Sequence, residues 1–111
     1  MNNIMIIDGQ KAVITFDPDI GMFRGEFTGL SGGADFYAAD VEGLQREGAT
    51  SLRVYLEACR KEGIEPLAKA SGQFVLRVPP AVHRAATIAA KAAGKSLNAW
   101  ATDAIREAAE A

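Results

Sequence analysis

A single cysteine and a single histidine stand among the 111 residues. That scarcity excludes a disulfide framework and a His/Cys cluster with zinc-ligand spacing, gives no convincing ground for a Cys–His pair within one chain, and a lone thiol suits a reducing compartment. No stretch approaches the roughly 18 apolar residues of a membrane span, and the N-terminus lacks the basic start and long apolar run of a secretory signal. The expectation is a cytoplasmic protein without a membrane partner. No internal repeat is visible. The nearest approach to a carboxylate set is Asp17, Asp19 and Glu26. Two of these lie in a turn and the third on an exposed strand face, so they read as solvated groups rather than a metal or nuclease centre. The glycines of GLSGG (29–33) are not followed by the helix start of a phosphate loop and read as a turn. No cofactor and no catalytic residue is expected, and the chain is not expected to be an enzyme.

What is present is a modest apolar content, 49% hydrophobic with 23% charged. That is enough for one modest core or two small ones that lean on a partner chain. The net charge of −2 divides unevenly. Residues 1–70 hold seven Lys and Arg against eleven Asp and Glu, whereas residues 71–111 hold five against three. An acidic front suits a basic protein, and a mildly basic back suits phosphate. Between the two, KEGIEPLAKASG (61–72) holds a proline and two glycines without periodicity and reads as a helix stop followed by a linker. The expected division is a front domain over 1–64, a linker over 65–72 and a back domain over 73–111.

In the front, KAVITF (11–16) and MFRGEFTG (22–29) flank the turn-rich DPDIG, a hairpin signal, and ADFYAA (34–39) is a third strand. Alternation places Phe23 and Phe27 on one face with Gly25 between them. From Asp40, a good N-cap, Val41, Leu44, Leu52, Tyr55, Leu56 and Cys59 recur at helical spacing, which predicts a helix over about 40–62 that covers the sheet. Gly43 and Gly48 weaken that helix by about 1 kcal/mol each relative to Ala.

In the back, GQFVLRVPP (72–80) alternates so that Phe74, Leu76 and Val78 share one face and Gln73, Val75 and Arg77 the other. The prolines end this strand, a helix follows over about 80–93 with Gly94 as its stop, and Ser96 caps a second helix whose apolar stripe holds Leu97, Trp100, Ala101, Ala104, Ile105 and Ala108. A strand, a helix and a helix cannot close a core alone, and a lone strand has two bare edges. A second copy of the chain resolves this. Its equivalent strand pairs antiparallel across a two-fold axis, the helices cover the apolar side, and Phe74, Leu76, Val78, Leu97, Trp100 and Ile105 form the dimer core. A two-stranded ribbon of this kind fits the major groove of DNA. Arg77 and Gln73 can each make paired hydrogen bonds to a base, and Val75 can offer an apolar contact to a thymine methyl. The amides around Ser96 and Leu97, with Lys95 adding charge, suit a backbone phosphate.

The run SGQFVLRVPPAVHRAATIAAKAAGKSLNAWATDAI resembles the ribbon-helix-helix segment of one branch of the HicB antitoxin family, most of all in SGQF to VPP and in GKSLNAW. KAVITFDPDIGMFRGEFTGL and ADFYAADVEGLQREGATSLRVYLEACRKEGIEP resemble its partial RNase H-like N-terminal domain. The resemblance implies an α+β fold: a small antiparallel sheet with one covering helix, then a β-α-α dimerisation unit. It further implies a two-part antitoxin. The front would bind and neutralise a HicA-like, RNA-cleaving toxin, and the back would bind operator DNA and repress its own operon as a homodimer, with a tetramer left open. By position Gln73, Val75 and Arg77 match the family's ribbon. The alternative is a ribbon-helix-helix regulator that has a sensing or protein-binding front domain and no toxin partner.

Overall fold

The computed structural model describes residues 3–110 and divides them into two compact units, the first through Ser71 and the second from Gly72. It is α+β: four antiparallel strands and three helices among the described residues.

The first unit is a meander. Strands β1 (Ile4–Ile7), β2 (Gln10–Asp17), β3 (Met22–Phe27) and β4 (Asp35–Ala38) follow one another in space as in sequence, each antiparallel to the next. Three of them fall where alternation places them. The first does not follow from alternation, because IMII is a continuous apolar run with no period of two. It is fixed by its turn instead. Ile7 pairs with Gln10, and the two residues between them, Asp8 and Gly9, both have positive φ, 48° and 83°. That is the backbone of a tight two-residue hairpin turn whose twist matches its strands.

Helix α1 (Val41–Glu62) lies on one face of this sheet. Asp40 caps it, its Oδ1 accepting the Gly43 amide at 2.7 Å. Glu42 in the first turn and Arg60 and Lys61 in the last complement the helix dipole. Gly63 at φ 68° ends it, and the Ile64 amide donates back to the Cys59 carbonyl at 2.9 Å.

The buried stripe of α1 departs from the expected one. Leu44, Leu52 and Cys59 are buried and Tyr55 packs at the edge of the core, but Val41 and Leu56 are exposed, and Gly43 and Gly48 are buried in their stead. The reason is close approach. A Cβ on Gly43 would sit 2.8 Å from the Ala38 Cβ, and one on Gly48 would lie 3.0 Å from the Phe36 ring and against Ile7. Gly25 on β3 is tighter still, for a Cβ there would overlap the tip of the Phe36 ring. Phe36 therefore lies between two glycines, one on the sheet and one on the helix, and stacks on Phe27 at a centroid distance of 5.2 Å. The glycines that propensity alone counts as weak points are what lets the helix reach the sheet. Ile7, Ala12, Phe27, Leu30, Ala34, Phe36, Ala38, Leu44 and Leu52 complete the core.

The opposite face of the sheet is the one that α1 does not cover. Arg24 reaches across to Asp35 at 2.5 Å and to Glu26 at 3.7 Å. The Asp35 hydrogen bond and charge raise the Arg24 pKa above its ordinary value.

The segment expected to be linker is fastened to this unit over its first half. Leu67 forms an isolated bridge with Leu30, the Ser31 amide donates to the Pro66 carbonyl at 2.9 Å, and the Ala68 amide donates to the Gly29 carbonyl at 2.9 Å. Ser31 and Tyr55 hydroxyls, 2.7 Å apart, tie the same loop to α1.

The second unit holds α2 (Pro80–Ala92) and α3 (Leu97–Glu110), packed on each other. Proline in the first turn and Gly94 at φ 69° delimit α2, and the Lys95 amide donates to the Ala90 carbonyl at 3.0 Å. Ser96 caps α3 through its Oγ, which accepts the Ala99 amide at 3.1 Å. The stretch before α2, expected to be a strand, belongs to no sheet within the chain. Extended backbone becomes a strand only when another lies beside it, and the single chain offers none in this unit. Among the described residues no helix is long and apolar enough to cross a membrane, and no three His, Cys, Asp or Glu side chains are grouped to hold a metal.

Candidate nucleic-acid interface

The back unit is built around an apolar face that its own residues do not close. Leu76 and Val78, from the segment before α2, line a cleft of about 580 Å³ together with Val82, His83, Ala85, Ala86 and Ala89 of α2 and Leu97, Trp100, Ala101, Ala104 and Ile105 of α3. The alanine stripe of α2 makes this cleft wide, because short side chains leave room between the helices that larger ones would fill. Phe74 and Leu76 also border a smaller cleft of about 350 Å³ with Asn98, Thr102 and Ile105.

The segment above these clefts is apolar and open to solvent. Phe74 is 73% exposed and Leu76 67%. Single exposed apolar side chains are ordinary on a protein surface, but a row of them over an apolar cleft marks an interaction face. Each such side chain gains about 1.5–3 kcal/mol when fully buried. The six residues expected to form a dimer core are thus brought together. Leu76, Val78, Leu97, Trp100 and Ile105 line one cleft, and Phe74 meets Leu76 and Ile105 at the other.

Among the residues expected to face DNA, Val75 and Arg77 line neither cleft, whereas Gln73 borders the smaller one. Ser96 and Leu97 stand at the start of α3, where Ser96 employs the Ala99 amide and its own carbonyl takes that of Trp100 at 3.0 Å. The helix itself leaves the amides of Leu97 and Asn98 unused, which is the usual anion-binding pattern of a first turn.

Lys95 is held in an ion pair within its own unit. Its Nζ donates to Asp103 Oδ2 at 2.6 Å, and Arg106 Nη1 approaches the other oxygen at 3.4 Å. The Lys95 hydrogen bond, then its charge and that of Arg106, lower the Asp103 pKa below the ordinary aspartate value. Both groups of the Lys95 pair are nearly half exposed. An exposed ion pair of this sort contributes little and exchanges partners readily, so Lys95 reaches a phosphate only by leaving Asp103. This contact spans the α2–α3 turn and carries no sequence periodicity, which is why pattern reading missed it.

Among the described residues no metal-ligand set is grouped here; the arrangement offers an apolar face, with His83 on its wall, and an outward polar edge. Residues 55–105 match the model of the HicB family. This stretch, a little under half of the chain, is what the chain shares with the HicB family. The matched stretch runs from the last third of α1 through the segment before α2 and α2 itself to most of α3, so it contains the lining of both clefts and the Lys95–Asp103 pair but not Arg106. Residues 1–54 and 106–111 lie outside the match. No curated protein and no solved structure matches the chain significantly. The match supports a role connected with toxin–antitoxin systems.

Proposed function

We propose that this chain is a two-part antitoxin. Its front unit, a partial RNase H-like domain, binds and neutralises a small basic HicA-type RNA-cleaving toxin. Its back unit is a ribbon-helix-helix domain that pairs with a second copy through residues 73–78 and represses its own operon by placing that ribbon in the major groove of the operator. The expected boundaries, 1–64 and 73–111 with a linker over 65–72, carry these two roles. Gln73, Val75 and Arg77 face the bases. Lys95, Ser96 and Leu97 face a phosphate, and Phe74, Leu76, Val78, Leu97, Trp100 and Ile105 fill the dimer core.

The observation that carries the reading is the exposed apolar segment above an unfilled apolar cleft. A second copy supplies both of the things it lacks, a neighbouring strand for its backbone and apolar side chains for its cleft. Charge supports the division of labour, since the excess of acidic groups lies within residues 1–70 and the excess of basic ones within 71–111. At one end of the front sheet the β2–β3 turn and the start of α1 bring Asp17, Asp19, Asp40 and Glu42 to a common edge with exposed Phe16, Ile20 and Val41, a surface suited to a basic protein.

Two versions of the chain test this reading. A front fragment ending at Ser71 is expected to rescue growth when co-expressed with a small basic HicA-type toxin, and to shift no operator DNA. The full chain is expected to rescue growth and also to shift operator DNA. A folded fragment that rescues nothing would show that inhibition requires the back unit, and a full chain that leaves its own promoter DNA unshifted would remove the repressor role.

A further inference from the structure

The larger cleft of the back unit is lined by aliphatic side chains from the segment before α2, from α2 and from α3, with only two rings that carry nitrogen, those of His83 and Trp100. His83 is the single histidine of the chain. Its backbone is engaged locally, the amide donating to the Pro79 carbonyl at 3.1 Å and the carbonyl accepting from Thr87 Oγ1 at 3.0 Å. No charged side chain lines the cleft beside its ring. Arg77 of the segment, Arg84 and Lys91 of α2, and Asp103, Arg106, Glu107 and Glu110 of α3 all lie outside the lining, and Asp103 is held by Lys95. An imidazole that is exposed in the single chain therefore stands, without a counter-charge, in the face that self-pairing covers.

We infer that His83 makes self-pairing of the back unit pH-dependent, the two copies separating as the cleft histidines take up protons. This rests on the proposed pairing with a second copy. A two-fold pair covers each cleft with the same apolar face. Neutral imidazole is tolerated there and imidazolium is not, because a charge taken from water into an apolar site without a partner is strongly disfavoured. Trp100 adds to the effect. Its indole N–H is a donor only, and in this lining neutral imidazole is the one side chain that accepts a hydrogen bond, whereas imidazolium has no acceptor left. Protons bind the open chain better than the closed pair. Pairing is therefore at full strength above the ordinary imidazole range, about pH 6.5, and is lost as pH falls through it. Each excluded proton weakens association by up to about tenfold per pH unit below that point, so two histidines give up to about a hundredfold between about pH 7.5 and about pH 5.5.

Full-length chain is followed by light scattering across a dilution series at about pH 7.5 and at about pH 5.5, a window in which ordinary carboxylates stay mostly ionised. The wild-type dissociation constant is expected to rise by tens of fold, up to about a hundredfold, at the lower pH. His83→Gln keeps an acceptor and takes up no proton, and His83→Leu is apolar; both are expected to pair with little change between the two conditions, circular dichroism confirming that each keeps its helices. A wild type that pairs equally at both pH values would overturn the inference and leave self-pairing standing. Equal pH dependence in His83→Gln and His83→Leu would assign the effect to other groups and also overturn it. Loss of pairing at both pH values in the two variants alike would give His83 a packing role only, and overturn it as well. A wild type that is monomeric throughout would overturn the self-pairing reading, and this inference with it.

Discussion

Gly25→Ala is the substitution that most sharply separates the packing seen in the front unit from what propensity suggests. By propensity the change is favourable, since alanine restrains the unfolded chain and gains about 0.5–1 kcal/mol over glycine inside a strand. By packing it is not. The new methyl would overlap the tip of the Phe36 ring, and that ring has little room to retreat, because the same atoms lie 3.0–3.1 Å from where a Cβ on Gly48 would be, and the ring is only 4% exposed. Overpacking of this kind costs about 1–3 kcal/mol, so a net loss of about 1–2 kcal/mol is expected. For a unit of this size that lowers the melting temperature by about 4–8 °C per kcal/mol. The assay is thermal unfolding of the full chain by circular dichroism, together with amide exchange over β3 and β4, which reports on this unit alone. Phe36→Leu removes the ring tip, so the Gly25→Ala, Phe36→Leu double variant should be less destabilised than the sum of the singles by about 1 kcal/mol or more. Gly48→Ala is the contrast. There the helix-propensity gain is about 1 kcal/mol and the main obstacle is the flexible end of Ile7, so the two effects nearly cancel. A Gly25→Ala chain with unchanged melting and exchange, or strict additivity in the double variant, would refute this account of the core.

Three further outcomes are expected. Arg77→Ala should weaken operator binding by about 1–3 kcal/mol for each bidentate pair of hydrogen bonds to a base that it removes, while leaving toxin inhibition intact, and a gel-shift titration indistinguishable from wild type would remove Arg77 as a reader. Asp103→Asn should free Lys95 and raise DNA affinity in low salt, with a steeper salt dependence than wild type; an unchanged slope would mean that Lys95 reaches no phosphate. The lowered Asp103 pKa also fixes a direction with pH: its contribution is present above the ordinary aspartate value and is lost as pH falls through the lower folded value, so acid unfolding of the α3 signal should be flatter in Asp103→Asn. Equal acid sensitivity of the two chains would count against it.

Most of the front unit was legible because its strands alternate and its helix begins at an N-cap and ends at a glycine. Two features were not. IMII has no alternation to read, although the Asp8-Gly9 pair after it is itself a strong hairpin signal and would have revealed β1. The glycines of α1 carry no hydrophobic signal at all, so a stripe running through Leu44, Gly48, Leu52, Tyr55 and Cys59 reads as broken until Phe36 and Ile7 are seen against it. In the back unit both helices and the alternation of 73–78 could be read directly. The hold of Asp103 on Lys95 could not, because it depends on the angle at which two helices meet. The fastening of Leu67 to Leu30 was hidden for a similar reason, since two backbone bonds need no sequence pattern.

The decisive measurement is the hydrogen exchange of the amides of residues 74–78 in full-length chain whose mass is followed by light scattering across a dilution series. Self-pairing predicts at least twice the monomer mass and protected amides at alternate positions, with both signatures disappearing together on dilution. A monomer at high concentration, with every one of those amides exchanging at the rate of an open chain, would contradict it.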